Sequence, residues 1–260
     1  MRLVYVYTNL ERRKLIMKEF NPNRYAVIHE KNPREIVMLR GKGCSWRRCR
    51  FCDYHLDSSI DMEANFALNQ EQLAKVTGIY GKLEVINSGS FVDLDENTLA
   101  MIEQICMQHN IHQIHFEAHW RHRDAISNFR RRFASKGIEL KIKTGVETFD
   151  FLFRESYLAK GIDAKSPKEL AEFFDEVCLL QGIPGQTTES MEQDIQLGLT
   201  YFERVCINIM QENKKPIKPD PRVIATFTKE LYPKYIKNDR VDILMENTAF
   251  GVGGVVEHAE

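Results

Sequence analysis

The sequence predicts an α/β fold, a single-domain, partial (βα)6 TIM-type barrel, on three observations. Short β-branched runs alternate with amphipathic stretches along nearly the whole chain, which is the pattern of parallel βα units. The strand candidates are apolar almost throughout, which fits burial on both faces of a parallel sheet. The length of 260 residues suits one sizeable core, and a right-handed array of about six units curls into a partial or full barrel.

Taken in chain order, residues 1–34 do not fit the rhythm and are expected to form a strand-and-helix prelude to a core barrel over 35–210, followed by a C-terminal part over 211–260. Strands are expected at Glu35 to Leu39, Leu83 to Ile86, Gln113 to Ala118, Glu139 to Lys143, Val177 to Gln181 and Arg204 to Met210, with a last one near Val241 to Met245. Asp95 is placed to cap a helix whose Leu99, Ile102 and Cys106 share one face. In Ser166-Pro167-Lys168-Glu169 a capping serine, a first-turn proline and a capping-box glutamate stand in register, which predicts a helix through Leu170 and Phe173. Asp220-Pro221 repeats the device before Val223, Ile224 and Phe227, and Gly137 and Gly161 fall where helices stop.

The formal charge of -1 and pI near 6.7 argue against a general attraction to nucleic acid. No apolar stretch is long enough to cross a bilayer, and the N-terminus lacks a signal peptide's apolar core, so the expected compartment is cytoplasmic. The six cysteines suit a reducing compartment: three crowd between Cys44 and Cys52, while Cys106, Cys178 and Cys206 sit singly in apolar runs as small core residues. Arg130-Arg131-Arg132, bracketed by Phe129 and Phe133, reads as a solvated helix face with an apolar underside in preference to a tRNA contact.

Barrels of this kind place their chemistry at the carboxyl ends of the strands. Just after the first core strand, Cys44, Cys49 and Cys52 form C-x4-C-x2-C. Three thiolates in one tight loop imply a metal centre. A 4Fe-4S cluster with one iron left open and a Cys3His zinc site completed by His55 both fit that loop.

The loop resembles the signature of the radical S-adenosylmethionine (SAM) enzymes, with Phe51 as the aromatic residue before the last cysteine and one residue more than the commonest spacing between the first two. Asn87-Ser88-Gly89-Ser90, after the second core strand, resembles the family's turn at the methionine amino group. The segment from Lys143 to Thr148, with Lys143 and Glu147, resembles the one that supplies polar contacts to methionine and ribose, and Gly182 to Thr187, with Gly182 and Gly185, the turn beside adenine. The resemblance covers roughly 35–210. It implies a barrel of the radical SAM kind, a 4Fe-4S cluster and SAM as cofactors, an external electron donor, and reductive cleavage of SAM to a 5′-deoxyadenosyl radical.

Within that superfamily the chain is most similar to the short bacterial queuine lyases. This implies a lyase of queuine salvage that releases 7-aminomethyl-7-deazaguanine from queuine or acts on a related 7-deazaguanine. His115, Glu117 and His119 alternate on one strand face, and Glu117 and His119, with Asn208, Glu246 and Asn247 at other strand ends and Tyr54 after the cysteine loop, are the candidate substrate contacts. A tRNA-modifying radical enzyme and a zinc-binding module are the alternatives.

Overall fold

The structure, a computed structural model, describes residues 23–245. Eight strands form one sheet in sequential order. They are β1 (Tyr25–Ile28), β2 (Arg34–Leu39), β3 (Lys82–Asn87), β4 (Gln113–Glu117), β5 (Glu139–Glu147), β6 (Glu176–Gln181), β7 (Arg204–Ile209) and β8 (Val241–Leu244). β1 is antiparallel to β2, and every later pairing is parallel. Sequential parallel order requires a crossover between each pair of strands. These carry helices α1 (Met62–Leu73), α2 (Glu96–Gln108), α3 (Arg123–Ala134), α4 (Pro167–Ala171) and α5 (Thr188–Tyr201), followed by α6 (Pro221–Thr226) and α7 (Tyr232–Tyr235), which are joined through a π turn.

The outer faces of the strands pack on the helices in one continuous core that includes Val37, Leu83, Val85, Ile114, Phe116, Ile142, Val177 and Val205. The inner faces curl round until the two ends of the parallel array meet through side chains. Arg34 on β2 donates to Asp242 on β8 at 3.3 Å, and Asn32 donates to the same residue at 2.9 Å. The result is the expected partial barrel, with an antiparallel strand ahead of it.

The expected strands are all present, and most ends fall within one residue of expectation. The exception is β5, which does not stop at Lys143 but runs to Glu147 with a bulge between Gly145 and Glu147. The caps form as the sequence requires: the Asp95 side chain accepts from the Thr98 N at 2.9 Å and Asp220 from the Arg222 N at 2.9 Å. At α4 the Ser166 hydroxyl accepts from the Glu169 N at 3.2 Å, but the Glu169 carboxylate reaches the Lys165 N rather than its capping partner. The helix ends at Ala171, short of Phe173.

Phe129 and Phe133 form the apolar underside of α3, as expected, but the arginines between them are not a solvated row. Arg130 donates to Asp175 at 2.7 Å and to the Leu140 O, and Arg132 pairs with Glu96 and Glu103. The charges of Arg130 and Arg132 tie α3 to its neighbours, while Arg131 stays exposed and donates to Asn128 on the same helix. Cys106 lies in the outer core, whereas Cys178 and Cys206 are register partners inside the barrel beside Leu244.

Candidate active site at the barrel mouth

The segment after β2 turns across the carboxyl ends of the strands. Gly43 has φ +82°, and a Cβ there would fall 2.4 Å from that of Ser58, so only glycine allows the turn. The Cys44 N then donates to the Ser88 O at 3.0 Å, at the exit of β3. Gly89 backs the same contact, since a Cβ on it would approach the Cys44 N to 2.9 Å. Farther along, the Arg50 N donates to the Leu158 O and the Ile217 N to the Arg50 O, each at 3.0 Å. Cys49 and Phe51 are thereby packed with Leu158, Leu180, Ile183, Met210 and Ile217. Behind the loop, Asp57 accepts from Arg24 at 2.6 Å and from Arg40 at 3.0 Å, and the Asp57 O accepts from the Ser88 hydroxyl at 2.6 Å. The loop is thus fixed from several strands at once.

Trp46 is the other anchor. Its Nε1 donates to the Ala159 O at 2.8 Å, and its ring lies where a Cβ on Gly161 would stand, 2.4 Å away. His119 stacks on it with ring centroids 6.0 Å apart. The His119 Nε2 donates to the Lys160 O at 2.9 Å and its Nδ1 accepts from the Arg121 N, so both ring nitrogens are engaged within the protein. Burial, with the charge of Lys160 added, pushes this imidazole down to about 4. It is neutral at pH 7 and serves to position the loop.

The donor set fits an iron-sulfur cluster. Cys49 is buried on a loop with the half-buried Cys44 and Cys52, and burial pushes the Cys49 thiol up to about 12 and raises that of Cys52. Thiolates in this place need compensating positive charge, which bound iron supplies. A second source is Lys160, which is paired with Glu147 and stands 5.5 Å from the centre of the Phe51 ring. Burial works against its charge, but Glu147 and Cys49 more than reverse that. Among the described residues no three His, Cys, Asp or Glu side chains stand close enough to share one metal ion, His55 included.

Beneath the loop the barrel is open. By strand alternation Met38, Ile86, Glu117, Gly145 and Asn208 face inward near the carboxyl ends, and each is partly exposed while its outward neighbours are buried. The Lys143 Nζ lies deeper, paired with Glu84 below and reaching the Glu117 Oε1 above at 3.1 Å. Under it the bottom of the barrel is filled by Arg34, Glu84, His115, Glu176, Arg204 and Asp242. The inner face near the carboxyl ends is thus open to water above a charged floor, at the end of the barrel where the cysteine loop runs.

A solved queuine lyase from Clostridium spiroforme, bound to SAM and queuine, matches this chain with a TM-score of 0.84 and 40% identity, over 90% of this chain and 100% of that one. The chain belongs to the queuine lyase family of radical SAM enzymes. No family model and no curated sequence matches it. A sporulation-specific glycosylase from Bacillus subtilis superposes only at a TM-score of 0.28, with 12% identity over 77% of this chain and 74% of that one.

In this queuine lyase family member the candidate residues fall into three groups. Cys44, Cys49, Cys52, Phe51 and Glu147 gather around the loop, with the turn Asn87 to Ser90 behind Cys44. The Asn87 Nδ2 donates to the Ser90 O, while its buried Oδ1 has no partner among the described residues. The Ser90 hydroxyl accepts from the His119 N at 3.0 Å. Glu117 and Asn208 lie on the open inner face, Tyr54 is exposed on a short turn, and Glu246 and Asn247 lie outside the described residues.

The third group departs from expectation. Lys143, expected at a strand end as a SAM contact, is on the charged floor in ion pairs, because β5 continues beyond it. Gly182, at φ +95°, is packed against Ile224 rather than open to a ligand. Gly185 is exposed beside a depression of about 430 Å³ that Gln186, Thr187, Asp220 and Arg222 also line. Sequence reasoning missed Lys160 and Trp46. The signal for Lys160 was a lone lysine in Leu158-Ala159-Lys160-Gly161-Ile162, an otherwise apolar run.

Proposed function

We propose that this protein is a queuine lyase that cleaves SAM reductively and releases 7-aminomethyl-7-deazaguanine from queuine. The observation that carries the reading is a three-cysteine loop at the mouth of a barrel whose floor holds the Glu117–Lys143 pair, in a chain 40% identical to a queuine lyase. Cys44, Cys49 and Cys52 would hold three irons of a 4Fe-4S cluster. When bound, that cluster supplies the electron that splits SAM into methionine and a 5′-deoxyadenosyl radical.

The chain's own residues orient and shield. The turn from Asn87 through Ser88 and Gly89 to Ser90 borders the methionine end, and the orphan Asn87 Oδ1 is an acceptor for its ammonium. Glu147 serves the ribose, and the exposed turn at Gly185 borders the adenine edge. Glu117 accepts hydrogen bonds from the N–H edge of the 7-deazaguanine ring, and Lys143 holds that carboxylate in place from below. Asn208 and Tyr54 complete the substrate side, and the apolar packing around Phe51 excludes water from the reacting atoms. The chain works as a single domain. Among the described residues no helix is long and apolar enough to cross a membrane, and free cysteines without disulfides suit the reducing cytoplasm.

Anaerobic incubation of the reconstituted protein with SAM, reductant and queuine tests this. Mass spectrometry is expected to show 5′-deoxyadenosine and 7-aminomethyl-7-deazaguanine together. Formation of 5′-deoxyadenosine with queuine left intact would refute the substrate, and formation of neither would refute the radical chemistry.

A further inference from the structure

Two thiols inside the barrel take no part in the reaction proposed above. Cys178 on β6 and Cys206 on β7 are register partners, and with Leu244 they form a small cluster of their own on the inner face. They keep 7% and 5% exposure, whereas their outward neighbours Val177, Leu179, Val205 and Ile207 have none, so a small molecule reaches them through the barrel interior. On the β5 side the partner of Cys178 is Gly145, which has no side chain to cover it. Two residues farther along the same strands, on the same face, Leu180 pairs with Asn208. Leu180 packs with Cys49 and Phe51 of the cysteine loop, and Asn208 is a candidate substrate contact. The dithiol therefore lies directly beneath a pair that touches both parts of the site.

The two sulfurs already meet. The Cys178 S–H donates to the Cys206 Sγ, which holds the Cys206 thiol below its ordinary value and raises that of Cys178, and the charge of Lys143 favours thiolate at both. Cys206 is thus the better nucleophile, with a second thiol beside it. Adjacent strands lie about 4.8 Å apart, which falls within the ~4.4–6.8 Å that Cα atoms span across a disulfide.

We propose that Cys178 and Cys206 are a reversible oxidation site, whose disulfide reshapes the inner wall of the barrel and weakens substrate binding. The proposal rests on the reading of this inner face as the substrate site. The oxidant is a small organic disulfide. The Cys206 thiolate attacks one of its sulfurs and expels the first thiolate, and Cys178 then loses its proton, attacks the mixed disulfide at Cys206 and expels the second. The protein gives up two electrons and two protons, and the oxidant leaves as two thiols. Bond formation closes the sulfurs to about 2 Å. That draws β6 and β7 together beneath Leu180 and Asn208, and a close-packed wall passes the strain to the substrate contact. Substrate already in the barrel covers the thiols and slows their oxidation.

The test treats the anaerobic reconstituted full chain with hydroxyethyl disulfide, blocks the remaining thiols with iodoacetamide and maps the peptides by mass spectrometry. Iron content and queuine affinity are measured on the same samples. A linked Cys178–Cys206 peptide is expected at unchanged iron content, forming more slowly when SAM and queuine are present. Queuine affinity is expected to fall at least about tenfold, the scale on which a pocket senses a methylene-sized change, and to recover in excess 2-mercaptoethanol. Cys178→Ala is expected to hold its own affinity through the same treatment, and Cys206→Ala makes the comparison if the first variant folds poorly. Absence of the linked peptide, a linked peptide with affinity unchanged, or an equal loss of affinity in the alanine variant would overturn the proposal. So would iron loss in step with oxidation, with Cys44, Cys49 or Cys52 modified instead. Failure of the reduced parent to bind queuine would refute the substrate reading, and the linked peptide would still decide the oxidation site.

Discussion

Glu117 and Lys143 show how one residue's role depends on the next. Glu117 is partly exposed on the inner face and its charge is balanced from below at 3.1 Å, so neutralising it opens no cavity and, on the proposed function, removes a substrate contact. Glu117→Gln is expected to fold with stability within about 1 kcal/mol of the parent and to lose about 10- to 100-fold in kcat/KM for queuine, mostly in KM, as befits loss of a charge-assisted hydrogen bond. Lys143→Met differs, because it strips a buried cation from between two carboxylates. It is expected to cost about 3 kcal/mol in urea unfolding as well as activity. The inward placement of Glu117 was legible from the alternation of polar residues along its strand. Lys143 was misplaced because Thr144-Gly145 reads as a turn, whereas the chain absorbs the glycine in a bulge and continues the strand. The one mark of Lys160 was its apolar surroundings in sequence, because lysine is ordinarily a surface residue and its partners Glu147, Cys49 and Cys52 come from elsewhere in the chain.

Helices and strands were legible from caps and periodicity, but the contacts between them were not, and two of these contacts make testable features. Gly161 follows the turn after β5 at φ +75° and gives Trp46 its seat. Gly161→Ala meets both a left-handed backbone and the indole ring. A loss of about 2 kcal/mol or more is expected in thermal unfolding, with lower iron content after reconstitution, because the loop carrying Cys44 and Cys49 loses its anchor. The second contact joins α5 to the β5 exit, where Asp194 accepts from the Phe149 N at 2.7 Å. Burial raises this carboxyl to about 6, and the Phe149 and Thr148 bonds only partly offset it. A folded pKa above the unfolded one means that the native state binds the proton more tightly. This group's contribution to stability is therefore fully present below about pH 4 and is lost as pH rises towards 6. Asp194→Asn keeps an acceptor for the Phe149 N and removes the buried charge. The variant is expected to be more stable than the parent by about 1–3 kcal/mol at pH 8, with the difference shrinking as pH falls towards 4 in anaerobic thermal unfolding.

For the molecule as a whole, an open parallel sheet must close its inner face without continuous backbone pairing, and this chain does so with charge. Arg34, Lys143 and Arg204 meet Glu84, Glu176 and Asp242 in a buried network that spans β2 to β8. In the sequence each of these residues is one polar position in a short strand, and nothing local distinguishes an inward charge from an exposed one. Only curling the sheet brings the six together, so the barrel could be read from its rhythm while its filling could not. Glu84 is the hub. Burial alone would raise its carboxyl, but Lys143, Arg204 and Arg34 hold it well below the usual carboxylate range, and Arg204 and His115 do the same for Glu176 against the same penalty. A folded pKa below the unfolded one gives stability that is complete above the unfolded value near 4.3 and is lost as pH falls below it, by about 1.4 kcal/mol per pH unit for each such group. Glu84→Gln leaves three buried cations facing two anions, and about 3–5 kcal/mol of stability should be lost at pH 7. Because the parent's own advantage fades in acid, the two proteins are expected to converge as pH is lowered from 5 to 3.5 in urea unfolding. A difference that stayed constant across that range would mean that Glu84 holds the barrel by shape alone.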